Sequence, residues 1–262
     1  PLTLLAYARF AEPRILLTVE HAASLSRCFP EAGSARLAVF SDTHEGLFAN
    51  AMPVSRIAEA AMKAAPDAVF IAGDFVYFLA PDRYEKTFSA LKQIKAPVFA
   101  VLGNHDVGLP GRDVGAPLTA ALKGLGVRLL DNALEPAEID GARVEIVGLS
   151  ELWAEGQDRT LLERRGEVPR IVLTHNPSTI LELSPREAVD FMLAGHTHGG
   201  QINIPFVTCA LTSACHVIRY GLVETPRGPV FVTSGTGMIG LPMRFNAAPR
   251  LDVIDLSWRA CG

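Results

Sequence analysis

Five times along the chain a short apolar run stops abruptly at polar residues. Leu37-Ala38-Val39-Phe40 leads into Ser41-Asp42-Thr43-His44, and Ala68-Val69-Phe70-Ile71-Ala72 into Gly73-Asp74. The run from Val98 to Leu102 meets Gly103-Asn104-His105-Asp106. Ile171-Val172-Leu173-Thr174 meets His175, and Phe191-Met192-Leu193-Ala194 meets Gly195-His196-Thr197-His198. Short continuous apolar runs bounded by turn residues read as strands buried on both faces. A core strand has no use for Asn-His-Asp at its end, because each group would need a buried partner. A site at the carboxyl edge of a parallel sheet does have use for them.

Between the runs the period changes. Val54, Ile57, Ala58, Ala61 and Ala65 share one face of a helix predicted over residues 53–65, with Pro53 in its first turn and Pro66 stopping it. Asp82 with Glu85 reads as a capping box opening a helix with Tyr84, Phe88 and Leu91 inward. A third helix is expected over 116–125. With strand one at 36–40, this β-α-β-α-β order predicts a parallel sheet with right-handed crossovers. Beyond it we expect a strand at 127–130, a hairpin over 133–149 around Asp140-Gly141, a polar stretch with a helical patch at 153–166, and a short helix opened by Asn176-Pro177-Ser178. After Gly200 the chain turns β-rich, at 201–204, 217–224, 229–233 and 251–256. Near the start, 7–20 reads as an opening strand and 24–35 as a loop. No repeat or linker stands out, so residues 1–262 read as a single domain.

Composition narrows the functions. Hydrophobic residues make up 49% and charged residues 20%, enough for a large core and against disorder. A net charge of −4 argues against a nucleic-acid partner bound through phosphate neutralisation. Cys28, Cys209, Cys215 and Cys261 contain no C-x-x-C, which removes zinc-ribbon and thioredoxin-type readings and leaves all three pairings, or free thiols, open. The apolar run 2–8 is far short of the roughly 20 residues that span a bilayer. It reads either as a first strand or as the trailing end of a trimmed anchor or export signal. The second reading sets the expectation of a membrane-associated or extracytoplasmic protein, with a cytoplasmic one as the alternative.

The polar groups after the five strands form one inventory: Asp42, His44, Asp74, Asn104, His175, His196 and His198. Oxygen and imidazole donors without thiolate suit Mn²⁺, Fe²⁺ or Zn²⁺. Seven donors exceed a closed four-ligand site and suit two metals sharing a carboxylate, with positions left for water and substrate. Two ions about 3.5–4 Å apart can clamp both the attacking and the leaving oxygen of a phosphoryl displacement. A lone D-x-H or H-x-H carries little weight; the combination in this order carries much. Gly235-Thr236-Gly237-Met238-Ile239-Gly240 matches a dinucleotide fingerprint, but Pro242 follows where a helix must start, so it reads as a turn near the site. His21 and His216 read as ordinary polar or core histidines, and Trp153 as an aromatic packed under a loop rather than one stacking on substrate.

Asp42-Thr43-His44, Gly73-Asp74, Gly103-Asn104-His105-Asp106, His175 and Gly195-His196-Thr197-His198 together resemble the five motifs of the calcineurin-like metallophosphoesterases. Tyr7 with Glu12-Pro13, Gly148 to Trp153, and Gly240-Leu241-Pro242-Met243-Arg244-Phe245-Asn246 extend the resemblance toward a membrane-associated bacterial branch. Ser178 stands where branch members often have Asp. The resemblance implies an α/β fold of two packed mixed sheets flanked by helices. It implies one divalent ion on Asp42, His44, Asp74 and His198, and a second on Asp74, Asn104, His175 and His196. His105 would act on the phosphoryl or leaving-group oxygen, with Asp106 orienting its ring. The activity expected is phosphodiester hydrolysis by a metal-bound hydroxide on a small-molecule or lipid-linked phosphoester. One alternative is a membrane-surface pyrophosphatase acting on a nucleotide-activated lipid sugar of the UDP-diacylglucosamine type. Another is a non-catalytic metal-bound interaction domain.

Overall fold

The computed structural model describes residues 2–262 except 50, 155, 164–165, 205–206 and 209–217. The chain opens with helical turns: α1 (Leu2–Ala6), a wider turn at Tyr7–Ala11 and a tight one at Glu12–Arg14. There follow β1 (Leu17–Ser24), β2 (Gly33–Phe40), β3 (Glu45–Gly46), α2 (Val54–Ala64), β4 (Ala68–Ala72), β5 (Val76–Tyr77), α3 (Tyr84–Phe88), β6 (Val98–Val101), α4 (Gly115–Gly124) and β7 (Arg128–Leu129). The second half holds β8 (Ala133–Ile139), β9 (Ala142–Gly148), β10 (Arg170–Leu173), α5 (Thr179–Glu182), β11 (Phe191–Ala194), β12 (Gly221–Thr225), β13 (Gly228–Val232) and β14 (Arg250–Trp258).

Two six-stranded mixed sheets result, in the orders β1-β14-β2-β4-β6-β7 and β12-β13-β11-β10-β9-β8. β2, β4, β6 and β7 run parallel, as do β9, β10, β11 and β13; β14 pairs antiparallel with β2, and β8 and β12 form antiparallel edges. The near-continuous apolar runs follow from this layering. Leu37, Val39, Phe70 and Phe99 point into the space between the sheets, against Ile146, Ile171, Leu173, Phe191 and Phe231. Their neighbours Ala38, Phe40, Val69, Ile71 and Ala100 point outward under Val54, Ile57, Phe88, Leu118 and Leu122. Val147, Val172, Met192 and Val230 likewise meet Ile180 and Leu162 on the far side. Each such side chain removed from water is worth about 1.5–3 kcal/mol, so both faces contribute and no strand needs polar alternation.

Several expectations hold and several shift. The 53–65 helix forms as α2, ended by Ala65 with φ +48°. The hairpin turns at Asp140 (φ +50°) and Gly141 (φ +74°), the double positive φ of a tight two-residue turn. The 7–20 segment is strand only from Leu17, where pairing with Arg250 begins; upstream, Pro13 lacks a donor and lies in a helical turn. Residues 2–8 are therefore helical rather than a first strand. The capping box is not formed: Asp82 sits inside a 3₁₀ turn, Pro81–Arg83, and α3 is a single turn without a side-chain cap. The 153–166 patch is two 3₁₀ turns, Leu152–Ala154 and Arg159–Leu162. The 201–204 strand reduces to one bridge between Ile202 and Phe245. Cys28 and Cys261 form a disulfide that ties the end of the chain to the loop after β1. Cys209, Cys215, His216 and the first residue of the predicted 217–224 strand lie outside the described residues.

Candidate metal centre

β2, β4 and β6 are parallel neighbours, and so are β10 and β11, so their carboxyl ends share one edge. All seven ligand-type side chains converge there and all are wholly or largely buried. The backbone bends sharply to bring them in. Asp42, His44, Asp74, His196 and His198 all have positive φ, between +43° and +72°. Non-glycine residues avoid this region, and such strain concentrates at functional sites. Close approach matters as well: a Cβ on Gly103 would lie 2.2 Å from Asp74 Oδ1.

The donors fall into two groups. In the first, His44 Nε2 and His198 Nε2 are 3.1 Å apart, and Asp42 Oδ1 lies 3.5 Å from His198 Nε2. In the second, His175 Nε2, His196 Nδ1 and Asn104 Oδ1 form a triangle with every side 3.0 Å. Asp74 Oδ2 stands between them, 3.5 Å from His44 Nε2 and 3.3 Å from His175 Nε2. Asp74 Oδ1 is held aside by the His105 backbone N–H at 2.9 Å.

These donor atoms are also placed to bind cations. The His175 Nδ1–H donates to Ala72 O at 2.7 Å, so neutral His175 presents a lone pair at Nε2. The Asn104 amide N–H donates to Leu109 O, so its oxygen is the inward atom. With His175 neutral, its Nε2 lone pair and the Asn104 oxygen face one another at 3.0 Å. Ligands about 2.0–2.2 Å from a cation sit roughly 3.0–3.5 Å from each other, the spacing seen in both groups. Charge points the same way. Burial, then Asp74, pushes the Asp42 carboxyl up to about 7 against an opposing pull from His175. Burial lowers the His175 imidazole, but Asp74 outweighs it and holds the ring up to about 10. A dry cluster of carboxylates and imidazoles in this state is relieved by divalent cations, and the donor set fits two of them.

His105 lies beside the first group, its ring edge-on to His44 at 5.1 Å and to Tyr77 at 5.5 Å, half-buried and outside both donor sets. Burial lowers its imidazole pKa, with Asp74 opposing. Asp106 does not orient that ring. Its carboxylate accepts from the backbone N–H groups of Phe75, Val76 and Gly103 at 3.0–3.2 Å, which pins the loop after β4 to the loop after β6. Trp153 is not packed under a loop either. It is 53% exposed, stands edge-on to His196 at 4.8 Å and walls a groove beside the metal centre. The glycine fingerprint is a turn against the site: Gly237 N donates to Asp42 O, and a Cβ there would lie 2.1 Å from Thr43 O. His21 is an ordinary polar histidine, 2.9 Å from Asp252.

One residue was absent from the ligand inventory. Arg244 is fully buried and donates to Gly237 O at 2.7 Å, Ala247 O at 2.6 Å and Ser234 O at 3.2 Å, with Nη2 3.4 Å from His198 Nδ1. Its backbone N–H donates to Ala8 O, and Glu12 accepts from Ala247 N at 2.7 Å. The first turns of the chain thus lock onto the loop beneath His198. The sequence signal was an arginine among Gly, Pro, Met and Phe with no acidic neighbour, whose partners had to come from elsewhere.

The profile of the calcineurin-like phosphoesterase family matches residues 35–200. The chain is 29% identical to an uncharacterized Bacillus subtilis metallophosphoesterase, YkuE, over 95% of its own length and 88% of that protein. It is also 29% identical to the Escherichia coli phosphodiesterase YaeI, over 95% and 92% of the two chains. In fold it is similar to the phosphopantetheinyl hydrolase PptH of Mycobacterium tuberculosis, with a TM-score of 0.50 at 15% identity over 79% of this chain and 89% of that one. The ligand-type residues of all five motifs are present and meet at one sheet edge, and the chain belongs to the calcineurin-like phosphoesterases, a family of metal-dependent phosphoester hydrolases.

Proposed function

We propose that the chain is a two-metal phosphodiesterase. The observation that supports this most directly is the placing of Asp74 Oδ2 between two donor groups, with His105 alongside and outside both. Asp42, His44, His198 and Asp74 would hold one divalent ion, and Asn104, His175, His196 and Asp74 the other; Mn²⁺, Zn²⁺ and Fe²⁺ suit these donors. When bound, the ions supply Lewis acidity, lowering the pKa of water and drawing charge from the phosphoryl oxygens. His105, outside both donor groups, is placed to act on the phosphoryl or leaving-group oxygen. Asn176 Nδ2, buried and without a hydrogen-bond partner among the described residues, lines the groove and can donate to a phosphoryl oxygen. The name of the YaeI relative is consistent with a diester substrate.

The groove favours a second reading on the same site. Its cavity of about 660 Å³ adjoins His196 and His198, and its walls are largely apolar, including Trp153, Ile204, Val207, Ile239 and Leu241. That lining suits a lipid-linked phosphoester, including a nucleotide-activated lipid sugar of the UDP-diacylglucosamine type. The Cys28–Cys261 disulfide is consistent with an oxidising, extracytoplasmic location. The exposed Leu2, Leu4, Leu5 and Phe10 are consistent with association at a membrane surface, although no helix among the described residues is long and apolar enough to cross one.

The test combines metal analysis of protein purified without added metal with a panel of diesters, monoesters and a micellar nucleotide-activated lipid. Two ions per chain and metal-dependent diester cleavage are expected, with both ions and activity lost in Asp74→Ala. A single ion, coordinated by four groups that leave no open position, would sink the proposal. Faster cleavage of the micellar pyrophosphate than of any diester would select the second reading.

A further inference from the structure

A phosphodiester has two arms, and the groove accounts for one. A separate cavity of about 330 Å³ is lined by His105, Tyr77, Phe78, Leu79, Pro110 and Arg112. It shares no lining residue with the groove. Its walls come from the loops after β4 and β6 of the first sheet, whereas the groove is built from loops flanking the second sheet.

Three features of this cavity are unexplained by the fold. Phe78 is 77% exposed, where burial would have been favourable, and is held at φ +59°, a conformation costly for a bulky side chain. Its ring packs edge-on to Tyr77 at 4.7 Å, and Tyr77 in turn packs edge-on to His105 at 5.5 Å. Arg112 is exposed and forms no hydrogen bond or ion pair among the described residues. An apolar, aromatic pocket that carries one unpaired guanidinium and opens on His105 is complementary to an apolar or aromatic group bearing an anion.

We propose that this cavity binds the leaving arm of the substrate, and that Arg112 selects a leaving alcohol carrying an anionic group, with Tyr77 and Phe78 as its apolar wall. The inference rests on the phosphodiesterase reading above. We take the arm as the leaving one because His105, proposed above to act on the phosphoryl or leaving-group oxygen, lines this cavity and not the groove. In the reaction a water oxygen bonds to phosphorus and the bond from phosphorus to the alcohol oxygen breaks. That oxygen keeps the electron pair and takes the proton from His105. The proton lost by the water restores His105 through solvent, and the products are a phosphate monoester of the groove arm and the free alcohol.

The experiment uses alkyl aryl phosphodiesters with a common decyl arm. Their leaving phenols carry a carboxylate, a phosphonate or no charge and are matched in phenol pKa. A fourth ester carries the carboxylate on the end of the alkyl arm instead. The readout is kcat/KM, with kcat and KM resolved, for the wild-type enzyme and for Arg112→Met and Arg112→Lys. We expect the wild type to prefer a charged leaving phenol about tenfold, mostly through KM, a modest factor because the guanidinium is exposed. The ratio should fall toward one in Arg112→Met, return in part in Arg112→Lys, and be absent when the charge sits on the alkyl arm. Whether carboxylate or phosphonate gives the larger ratio identifies the anion. A ratio near one in the wild type, or a ratio that survives Arg112→Met, overturns the inference while leaving the phosphodiesterase reading intact. Failure to cleave any of the four esters overturns both.

Discussion

Asp106 provides the sharpest test of how this centre is built. Its carboxylate is fully buried and accepts four contacts from three backbone donors: Phe75 N at 3.0 and 3.2 Å, Val76 N at 3.2 Å and Gly103 N at 3.0 Å. Phe75 follows the ligand Asp74, and Gly103 precedes the ligand Asn104. Replacing Asp106 with Ala leaves three buried N–H groups without an acceptor. At about 1–3 kcal/mol each, the loss is about 3–9 kcal/mol, a large share of the stability of an ordinary domain. Asp106→Asn keeps an oxygen toward Phe75 and Val76 but turns an NH₂ toward Gly103 N–H, so one donor is lost, at about 1–3 kcal/mol. Denaturant unfolding of the metal-loaded proteins measures both, with metal content followed in parallel. We expect Ala to be far less stable than Asn, and both to lose metal as the Asp74 and Asn104 loops separate. If Asp106→Ala unfolds within about 1 kcal/mol of wild type, keeps its metals and loses only turnover, then Asp106 acts through His105 and does not hold the two loops together.

Three further outcomes follow from named geometry. His105→Ala should lower kcat by roughly 10²–10⁴ while metal content stays near normal, and the loss should shrink for a nitrophenolate leaving group; loss of a metal ion in step with activity would make His105 a ligand. Gly103→Ala places a methyl 2.2 Å from Asp74 Oδ1 and 2.5 Å from Asp74 N, so it should displace the shared ligand and lower the content of both ions, as metal analysis would report. Reducing the Cys28–Cys261 bond, which spans a sequence separation of 233, should lower unfolding stability by about 3–5 kcal/mol in denaturant titrations with and without dithiothreitol; unchanged midpoints would refute this.

What could be read in advance followed from the layers. Residues such as Leu37 to Phe40 are apolar without alternation because both faces of β2 are covered, and that signal is local. The ligands were legible for the same reason, since each directly follows a buried strand, and parallel pairing carries them to one edge. The misreadings are equally physical. The 7–20 segment alternates well enough for a strand, but its first half is decided by the distant partners of Ala8 and Glu12 near Arg244 and Ala247. Asp106 stood next to His105 in sequence, yet its carboxylate is taken up by Phe75 and Val76 of the loop after β4 and by Gly103 of its own loop. Adjacency in a motif does not say where a side chain's hydrogen bonds go.

The strain at the ligands shows why the surrounding structure must be so closely fitted. Asp42, His44, Asp74, His196 and His198 occupy left-handed conformations that cost of order 1–3 kcal/mol each. Local contacts such as Ser41 Oγ on Asp42 are few, and the loops are also held from outside. Asp42 is held by His196 N on one side and by Gly237 N on its carbonyl. Asp74 is held by the backbone of His105, and His44 N donates to Asp74 O. Each clamp joins residues far apart in sequence, and several depend on a glycine that lets two backbones touch. The donor atoms are therefore fixed by the packing of the two sheets before any ion arrives. A site assembled this way gains little from further ordering on metal binding, and its geometry should be set more by the loops than by the ion that enters.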